Sequence, residues 1–461
     1  MTRGPASLQL RIDGLDRTDP LTGLLAVHLP SPRIIAALSR SAIQGAGRWE
    51  GVTRDLYLNR PRLYLYFNEA GDAVRDLDVQ YALNVRKDLN VELGYHDLRD
   101  ALSYSGSSGE AGVVRAKAWY QPDPRWLIRA GLHSRTTELD EPFGYTQQPL
   151  AAFTFNPLIE RPQTVGVRST RTTRDLFLQA MHDPGEDGSK LFWAGLHQQS
   201  ARRRLSSPTD SIDAGFERLG GFIGHDRTYS SIRASAEARL DWDRLQGRSL
   251  PAPGSQSIAA VRLQADLHWT PAPRLAAVAH LALTRRSDHP SAPLAALSIR
   301  HGDPFGNGLS LELGTGRRPV PYQPLHWRSL SAQGNPDLRP ETVRWGGLRG
   351  WIRLWDTLQL HAEAEAARSA STPWLTAAGP FAASGAYRTL AFSGGARLRL
   401  DWLEAAARAE THIHALQEPD LYTARLDASG SRLRVFGSVH VKTPVFDRAA
   451  FVRAGLSTRL A

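Results

Sequence analysis

The chain contains no cysteine in 461 residues. Disulfide bonds, thiolate metal sites and cysteine nucleophiles are therefore excluded. The absence is compatible with an oxidising compartment but does not establish one.

Long apolar runs are also missing. No stretch of about 18 consecutive apolar residues occurs, so the sequence offers no transmembrane helix. The mean hydropathy of −0.35 is that of a water-soluble protein. A membrane-spanning β-barrel has a similar average, because only every second residue of its strands faces lipid.

A secretory signal peptide is not recognisable at the N-terminus, which has no apolar core and no small-residue cleavage site. Residues 1–60 are the least regular part of the chain, and we expect an irregular N-terminal segment there, either a remnant or the first strands. Within it, Leu8–Ile12 and Leu24–Leu29 are predicted to be strands, and Ile34–Ile43 is predicted to be a helix.

Positive charge exceeds negative charge, with 56 Lys and Arg against 46 Asp and Glu, for a net charge of +10. A basic balance is typical of nucleic-acid-binding proteins. Here, however, the basic residues are spread along the chain without a Lys/Arg block, so we predict no nucleic-acid partner. Arginines that face a polar barrel lumen, or the phosphates of lipopolysaccharide, fit this distribution better.

From about residue 62 onward, apolar and polar residues alternate with a period of two. In residues 258–269, for example, Val261 and Leu263 fall on one face while Arg262 and Asp266 fall on the other. Residues 358–366 contain good helix formers, yet their apolar members fall strictly on even numbers, so we predict a strand there too. A weaker strand is predicted at 212–222, with a turn at 224–227.

The connections between these strands alternate between short turns and longer polar loops. The longer loops are predicted at 135–172, 315–341, 368–386 and 415–430. This alternation is typical of a transmembrane β-barrel with short periplasmic turns and long extracellular loops. Because lipid cannot satisfy a free sheet edge, we predict an all-β fold, a large antiparallel transmembrane barrel of about 18–22 strands over residues 61–461.

No catalytic constellation is present in the sequence, and we predict that the protein is not an enzyme and needs no cofactor. His412 and His414 share one strand face, a spacing that can bind a metal, but only Glu410 offers a nearby third ligand. We interpret these histidines and His361 as lumen-lining residues and predict no metal site. A soluble polysaccharide-active enzyme is an alternative that would need an exposed pair of carboxylates.

One octapeptide, residues 334–341, reads Gly-Asn-Pro-Asp-Leu-Arg-Pro-Glu. Its two prolines fix φ and bias the preceding residues away from the helical region, so it predicts a rigid entry into the next strand. The string also resembles the signature of TonB-dependent outer-membrane receptors. The residues that carry the resemblance are Gly334, Asn335, Pro336, Leu338, Pro340 and Glu341, whereas Arg339 replaces a frequent lysine.

The last strand carries a second resemblance. Gly455, Leu456 and Leu460 are similar to the terminal assembly signal of outer-membrane proteins, which normally ends on an aromatic residue. This resemblance implies the outer-membrane assembly machinery as a partner.

By resemblance to the receptor family, the chain would be a monomer in the cell outer membrane, in contact with its lipid and lipopolysaccharide. It would import a scarce nutrient such as a ferric siderophore or cobalamin. TonB would be a partner if a plug and a TonB box precede the chain. Since we recognise no plug beyond a plug-like Ile-Asp-Gly at residues 12–14, we expect a truncated or degenerate gene product.

Two other classes stay open at this point. A passive, porin-like channel is the main alternative, and an adhesion, assembly or export barrel is the other.

The long loop before the octapeptide is the expected ligand surface. Arg317, Arg318, Tyr322, His326 and Trp327 cluster there. Arginine together with aromatic rings suits an anionic, partly aromatic ligand such as a ferric chelate. The alternative is an interface girdle with solvated loop charges.

Overall fold

The described part of the chain is almost entirely β-structure. The computed structural model describes residues 9–13, 15–17, 20–21, 35–40, 48–53, 56, 58–70, 74–100, 108–140, 167–185, 189–206, 211–250, 257–303, 306–328, 333–355, 357–371, 373–375, 381–383, 387–400, 403–415, 421–430, 433–442 and 449–458. Within these residues, no helix is both long and apolar enough to cross a membrane.

A small mixed sheet forms from the N-terminal residues. Its strands are β1 (Gln9–Ile12), β2 (Leu15–Asp16), β3 (Ile35–Arg40) and β4 (Arg48–Thr53), in the order β2-β1-β4-β3. The first prediction of a strand at 8–12 is confirmed, whereas the predicted helix at 34–43 is wrong over 35–40. There β3 pairs with β4, and this pairing outweighs the local helical preference. The predicted strand at 24–29 lies outside the described residues.

In the described part of the chain, twenty antiparallel strands form a closed barrel, in chain order around the wall, with β26 beside β5. They are β5 (Arg62–Ala70), β6 (Val74–Arg86), β7 (Leu89–Asp100), β8 (Gly109–Tyr120), β9 (Trp126–Asp140), β10 (Arg168–His182), β11 (Lys190–Ser206), β12 (Ser211–Tyr229), β13 (Ile232–Gln246), β14 (Ser257–Ala272), β15 (Leu275–Arg286), β16 (His289–Gly302), β17 (Gly308–Arg318), β18 (Glu341–Leu354), β19 (Leu358–Ala370), β22 (Tyr387–Leu400), β23 (Leu403–Ala415), β24 (Leu421–Gly430), β25 (Leu433–Lys442) and β26 (Ala449–Thr458).

Two further elements lie in the connections. A short helix, α1 (Tyr322–His326), follows β17, and a hairpin of β20 (Pro373–Leu375) and β21 (Phe381–Ala383) follows β19. The predicted fold class and strand number are confirmed.

The two faces of the wall differ as the period of two requires. Leu263, Leu267 and Trp269 of β14 are exposed on the outer face, while Arg262 and Asp266 alternate with them on the inner face. The outer face is therefore an apolar surface suited to lipid, and the inner face carries the charges.

Aromatic side chains mark one border of the apolar surface. Trp126, Tyr229, Trp269 and Trp355 are exposed next to short connections such as 230–231 and 273–274, at what we call the turn end. The opposite end, with connections such as 141–167 and 319–340, is the loop end. Aromatic girdles of this kind are typical of both borders of an outer-membrane barrel.

Three predicted boundaries need correction. The predicted turn at 224–227 is strand, because β12 continues to Tyr229 in register with β11. The predicted loop 415–430 contains β24, in which Tyr422, Ala424 and Leu426 alternate with polar residues. The predicted loop 315–341 begins only after β17 ends at Arg318, and it contains α1.

Adjacent residues on the two faces of β16 should respond differently to a new charge. Leu297 is 41% exposed on the outer face, and Ser298 faces the lumen. We expect Leu297→Arg to lower the free energy of unfolding by about 2–4 kcal/mol, because the charge enters the lipid, and Ser298→Arg to lower it by less than about 1 kcal/mol. Urea unfolding in phospholipid vesicles measures both values. Equal losses of free energy of unfolding in the two variants would contradict the assignment of Leu297 to the lipid face and Ser298 to the lumen face.

Candidate functional site in the barrel lumen

The N-terminal sheet makes polar contacts with inner-face residues of the barrel wall. Its ion pairs join Arg11 to Glu237 of β13 at 2.7 Å, Asp16 to Arg262 of β14 at 2.7 Å, and Arg17 to Asp175 of β10. These contacts place the sheet inside the lumen.

The N-terminal residues also contact strands β7 and β8 of the wall. The ammonium of Lys117 on β8 donates a hydrogen bond to Thr53 Oγ1 at 2.8 Å, and the backbone N–H of Leu56 donates to Glu92 on β7 at 3.3 Å. Together with the ion pairs, these contacts fall on strands between β7 and β14 of the wall.

Asp16 lies at the centre of this interface. Besides its pair with Arg262, its backbone carbonyl accepts a hydrogen bond from Gln199 Nε2 at 3.2 Å. Burial alone would raise the pKa of Asp16, but the guanidinium groups of Arg262, Arg239 and Arg218 outweigh burial and hold this pKa well below its usual range. The carboxylate is therefore charged, as the ion pair requires.

A second layer of charges lies behind Asp16 in the wall. Arg218 makes a two-point contact with Asp243 at 2.6 and 2.7 Å, and Arg239 lies 3.2 Å from Asp241. His197 Nε2 is 3.1 Å from the same Asp241 carboxylate. These side chains are almost fully buried, and each charge has a partner, which is the condition under which buried charges are tolerated.

The loop between β17 and β18, residues 319–340, folds back into the mouth of the barrel. The hydroxyl of Tyr322 donates to Asp243 at 2.5 Å. The backbone N–H groups of Tyr322 and Gln323 donate to the carbonyls of Pro20 at 3.0 Å and Leu21 at 2.7 Å. The loop is thus bonded both to the wall and to the N-terminal segment.

Apolar packing reinforces that junction. Side chains of the N-terminal segment, the wall and the loop form one buried cluster, composed of Leu21, Ala201, Ala214, Phe216, Leu245, Leu250, Ile258, Tyr322 and Trp327. Burial and the neighbouring Asp243 carboxylate raise the pKa of Tyr322, so its hydroxyl keeps its proton.

The base of the loop is held by the two-residue turn between β15 and β16. Asp288 pairs with Arg286 and lies 3.1 Å from His326 Nε2, and Arg286 donates to the carbonyl of Val320 at 2.5 Å. Burial would raise the pKa of Asp288, but the hydrogen bonds from His326 and Arg286 outweigh it and hold the pKa below its usual range.

The octapeptide closes this loop. Leu338 is buried with Val320 and Leu325, and the backbone N–H groups of Gly334 and Asn335 donate to the carbonyls of Trp327 at 2.6 Å and Pro324 at 2.8 Å. A Cβ at Gly334 would lie 2.5–2.8 Å from backbone atoms of residues 325–327.

The other octapeptide residues lead into the wall. Asn335 Oδ1 accepts a hydrogen bond from the backbone N–H of Asp337, Pro340 is buried, and Glu341 opens β18 and bonds Ser369 of β19. Pro336 lies in the turn between them. The octapeptide is therefore a structural clasp for the loop.

The five residues predicted to form a ligand surface do not share one surface. Arg317 is exposed on the outer face of β17, whereas Arg318 points inward, 3.7 Å from Glu341. Tyr322 and Trp327 are only 2% and 6% exposed, and His326 faces Asp288. Ligand contact by these residues stays a prediction.

Two other predicted sets, the terminal assembly signal and the histidine pair, are only partly described by the structure. Gly455 and Leu456 fall in β26, of which the backbone is described, and Leu460 lies outside the described residues. His412 and His414 fall in β23, where side chains are likewise not described. Among the described residues, no group of three or more potential ligands could hold a metal ion.

The luminal charges were not singled out from the sequence. Arg218, Asp241 and Asp243 lie at alternate positions of strands β12 and β13, which marked them as inward-facing. Their partners on the N-terminal segment, such as Asp16, had no signal of their own, because that segment shows no regular alternation.

A cavity of about 220 Å³ remains between the N-terminal sheet and strands β5 to β10. Arg115, Lys117 and His133 line it together with Asp13 and Glu92. Apolar atoms make up more of its lining than polar atoms, and its charged side chains are mostly basic.

Solved structures provide a comparison for this architecture. No protein-family model and no curated protein matches the sequence. The copper transporter OprC is similar with a TM-score of 0.72 and 13% identity over 98% of this chain and 82% of that chain. The siderophore receptor PirA from Pseudomonas aeruginosa has a TM-score of 0.71 and 11% identity over 98% and 85%, respectively.

The FrpB iron transporter from Neisseria meningitidis gives a TM-score of 0.67 and 9% identity over 95% of this chain and 79% of that chain. The chain therefore has the fold of the TonB-dependent outer-membrane receptors, as its octapeptide suggests.

The clasp predicts a specific requirement for glycine. We expect Gly334→Ala to destabilise the loop by about 1–3 kcal/mol, because the new methyl group meets rigid backbone. Trypsin cleavage after Arg328 should then accelerate at least about fivefold, since it follows the opening equilibrium. Gly347→Ala is the matched control, because its Cβ would meet its nearest atom at 3.5 Å. Equal cleavage of both variants would contradict the clasp.

Proposed function

We propose that the protein is an outer-membrane receptor and transporter barrel that imports a scarce nutrient, such as a ferric siderophore or cobalamin. The observation that carries the proposal is the N-terminal sheet held inside the lumen by ion pairs of Arg11, Asp16 and Arg17 with strands β13, β14 and β10. A lumen that is filled by a segment of the chain is typical of large outer-membrane transporters, whereas porins leave an aqueous channel.

The chemistry of the luminal interface favours a movable segment. Its contacts with the wall are mainly ion pairs and hydrogen bonds, and water can replace these when the segment shifts. An apolar interface would expose apolar surface to water on the same movement and would lose the free energy gained by burying it. We therefore propose that residues 1–60 act as the plug, or as part of one, inside a barrel formed by residues 61–461.

The ligand class follows from the similar structures by analogy. Those proteins are described as a siderophore receptor, a copper transporter and an iron transporter. We propose a metal chelate as the ligand of this chain, taken up without enzymatic conversion. Contact with Tyr322 and Trp327 would require the loop 319–340 to leave the barrel mouth first, since both residues are buried.

The proposed partners are outer-membrane lipid, lipopolysaccharide and the outer-membrane assembly machinery, with the protein as a monomer. TonB is also a proposed partner, on the condition that a plug and a TonB box precede these residues in the full protein. A passive, porin-like channel is the second candidate, and the N-terminal sheet inside the lumen favours the transporter over it.

Import is tested in a Gram-negative host that lacks its own siderophore, cobalamin and copper receptors. Cells that produce the protein receive radiolabelled ferric siderophores, cobalamin or copper one at a time. We expect uptake of one of these probes that stops when TonB is deleted. Uptake that is unaffected by TonB deletion, or uptake of every small solute, would replace this proposal with the passive channel.

The ion pairs of the lumen predict a gating phenotype. The wild-type protein should be silent in a planar bilayer, because the proposed plug closes the lumen. Asp16→Arg places like charges at a partly buried ion pair with Arg262. Breaking a fully buried pair costs about 3–5 kcal/mol, so we expect a cost of up to this size and open-channel events.

Asp88→Arg is the matched control for that experiment. It makes the same charge change in an exposed pair with Arg86 at the turn end, and it should leave the protein silent. A steady current through the wild-type protein would contradict the filled lumen.

A further inference from the structure

Among the residues whose side chains the structure describes, three arginines form a cluster on the outer face of the barrel at the loop end. Arg344 of β18 lies directly opposite Arg368 of β19. Arg317 of β17 lies opposite Thr342, two residues before Arg344 on the same face. All three side chains are exposed.

Like charges on directly opposite residues destabilise a sheet unless an anion lies between them. Elsewhere on the outer rim, the structure supplies that anion from the protein. Arg75 pairs with Asp97, Arg168 with Glu138, and Arg202 with Asp213, at 2.7–2.8 Å.

No such partner is present for the cluster. Among the described residues, none of Arg317, Arg344 and Arg368 has a carboxylate within ion-pair distance. The guanidinium groups of these three arginines are thus left for an external anion.

The depth of the arginine cluster in the membrane indicates which layer of the membrane supplies this anion. Roughly eleven residues separate Arg344 from Trp355, which is 80% exposed at the turn end. At a rise of about 3.3 Å per residue and a tilt of about 40°, they span about 28 Å along the membrane normal. The apolar band of such barrels is about 25 Å tall, so the cluster lies at the headgroup level of the leaflet on the loop side.

A groove extends from the cluster across the outer faces of β17, β16, β15 and β14. It has a volume of about 630 Å³, and Arg317 and Arg344 line it together with Leu263, Leu281 and Leu283. Small residues on the neighbouring strands, among them Ala295 and Gly316, make the concavity. A site with cations at one end and an apolar groove at the other fits an anionic amphiphile.

We propose that Arg317, Arg344 and Arg368 bind a phosphate of lipopolysaccharide, with one of its acyl chains in the groove. A phosphate monoester carries about −1.5 to −2 charges at neutral pH and three acceptor oxygens, which matches several unpaired guanidinium groups better than the single charge of a phosphodiester. The site requires only that the barrel lies in the outer membrane with its loop end outward. It does not depend on import.

The test compares charge-neutral variants of the full-length protein refolded in detergent micelles. Arg344→Gln and Arg368→Gln, singly and together, are titrated with purified lipopolysaccharide, with the same lipopolysaccharide after enzymatic removal of its phosphates, and with phosphatidylglycerol. Native mass spectrometry counts the bound lipid. Because each change removes a like-charge repulsion, the variants should fold at least as well as the wild type, which heat-modifiable gel mobility verifies.

Arg174→Gln is the matched control. Arg174 is exposed on the outer face of β10 and lies opposite Ser134 and Ser200. Its diagonal neighbour Arg202 is paired with Asp213, so Arg174 does not belong to a cluster of unpaired arginines. We expect each cluster variant to weaken lipopolysaccharide binding about tenfold, and the control to leave it unchanged.

The phosphates are the decisive probe. The wild-type protein should bind phosphate-free lipopolysaccharide and phosphatidylglycerol at least about tenfold more weakly than intact lipopolysaccharide. Equal binding of phosphatidylglycerol would overturn the proposal in favour of a general anionic-lipid surface. An equal loss in Arg174→Gln would overturn it in favour of non-specific attraction, and unchanged binding by the double variant would overturn the site itself.

Discussion

The need to satisfy every backbone hydrogen bond without water governs this structure. In lipid, a sheet with a free edge would leave rows of unpaired N–H and C=O groups, so the strands close into a ring in which β26 lies beside β5. Closure gives the wall one face toward lipid and one toward the lumen. Apolar residues such as Leu263 take the first, and charges such as Arg262 and Asp266 take the second.

The charged inner face then determines what can fill the lumen. A wall lined by Asp175, Glu237 and Arg262, whose partners lie on the N-terminal segment, cannot hold an apolar domain without leaving these charges unpaired. The N-terminal segment meets it with charges of its own, above all Asp16 toward Arg262. The loop 319–340 joins both, because Tyr322 bonds Asp243 in the wall as well as the carbonyl of Pro20. Movement of any one of the three is therefore coupled to the others.

The arginines on the outer rim of the barrel also need opposite charges nearby, but not all of them find these among the residues that the structure describes. On β6 to β12, arginines near the loop end are balanced by carboxylates of neighbouring strands, as Arg202 is by Asp213. On β17 to β19 they are not, and the surrounding surface is grooved. A protein surface that faces a layer of lipid phosphates can use these phosphates as the opposite charges for its arginines. Bound lipid would then contribute to the stability of the folded state.

The sequence alone determined the barrel, because period-two alternation survives in nearly every strand and each strand satisfies its pattern locally. It also marked the octapeptide, although not its role, since the clasp depends on Gly334 meeting backbone atoms of residues 325–327. Only the tertiary structure separated Arg317 from Arg318 and buried Tyr322 and Trp327, because which face a loop residue takes is set by packing against strands distant in sequence. For the same reason, the match between Asp16 and Arg262, 246 residues apart, could be decided only by the closed fold.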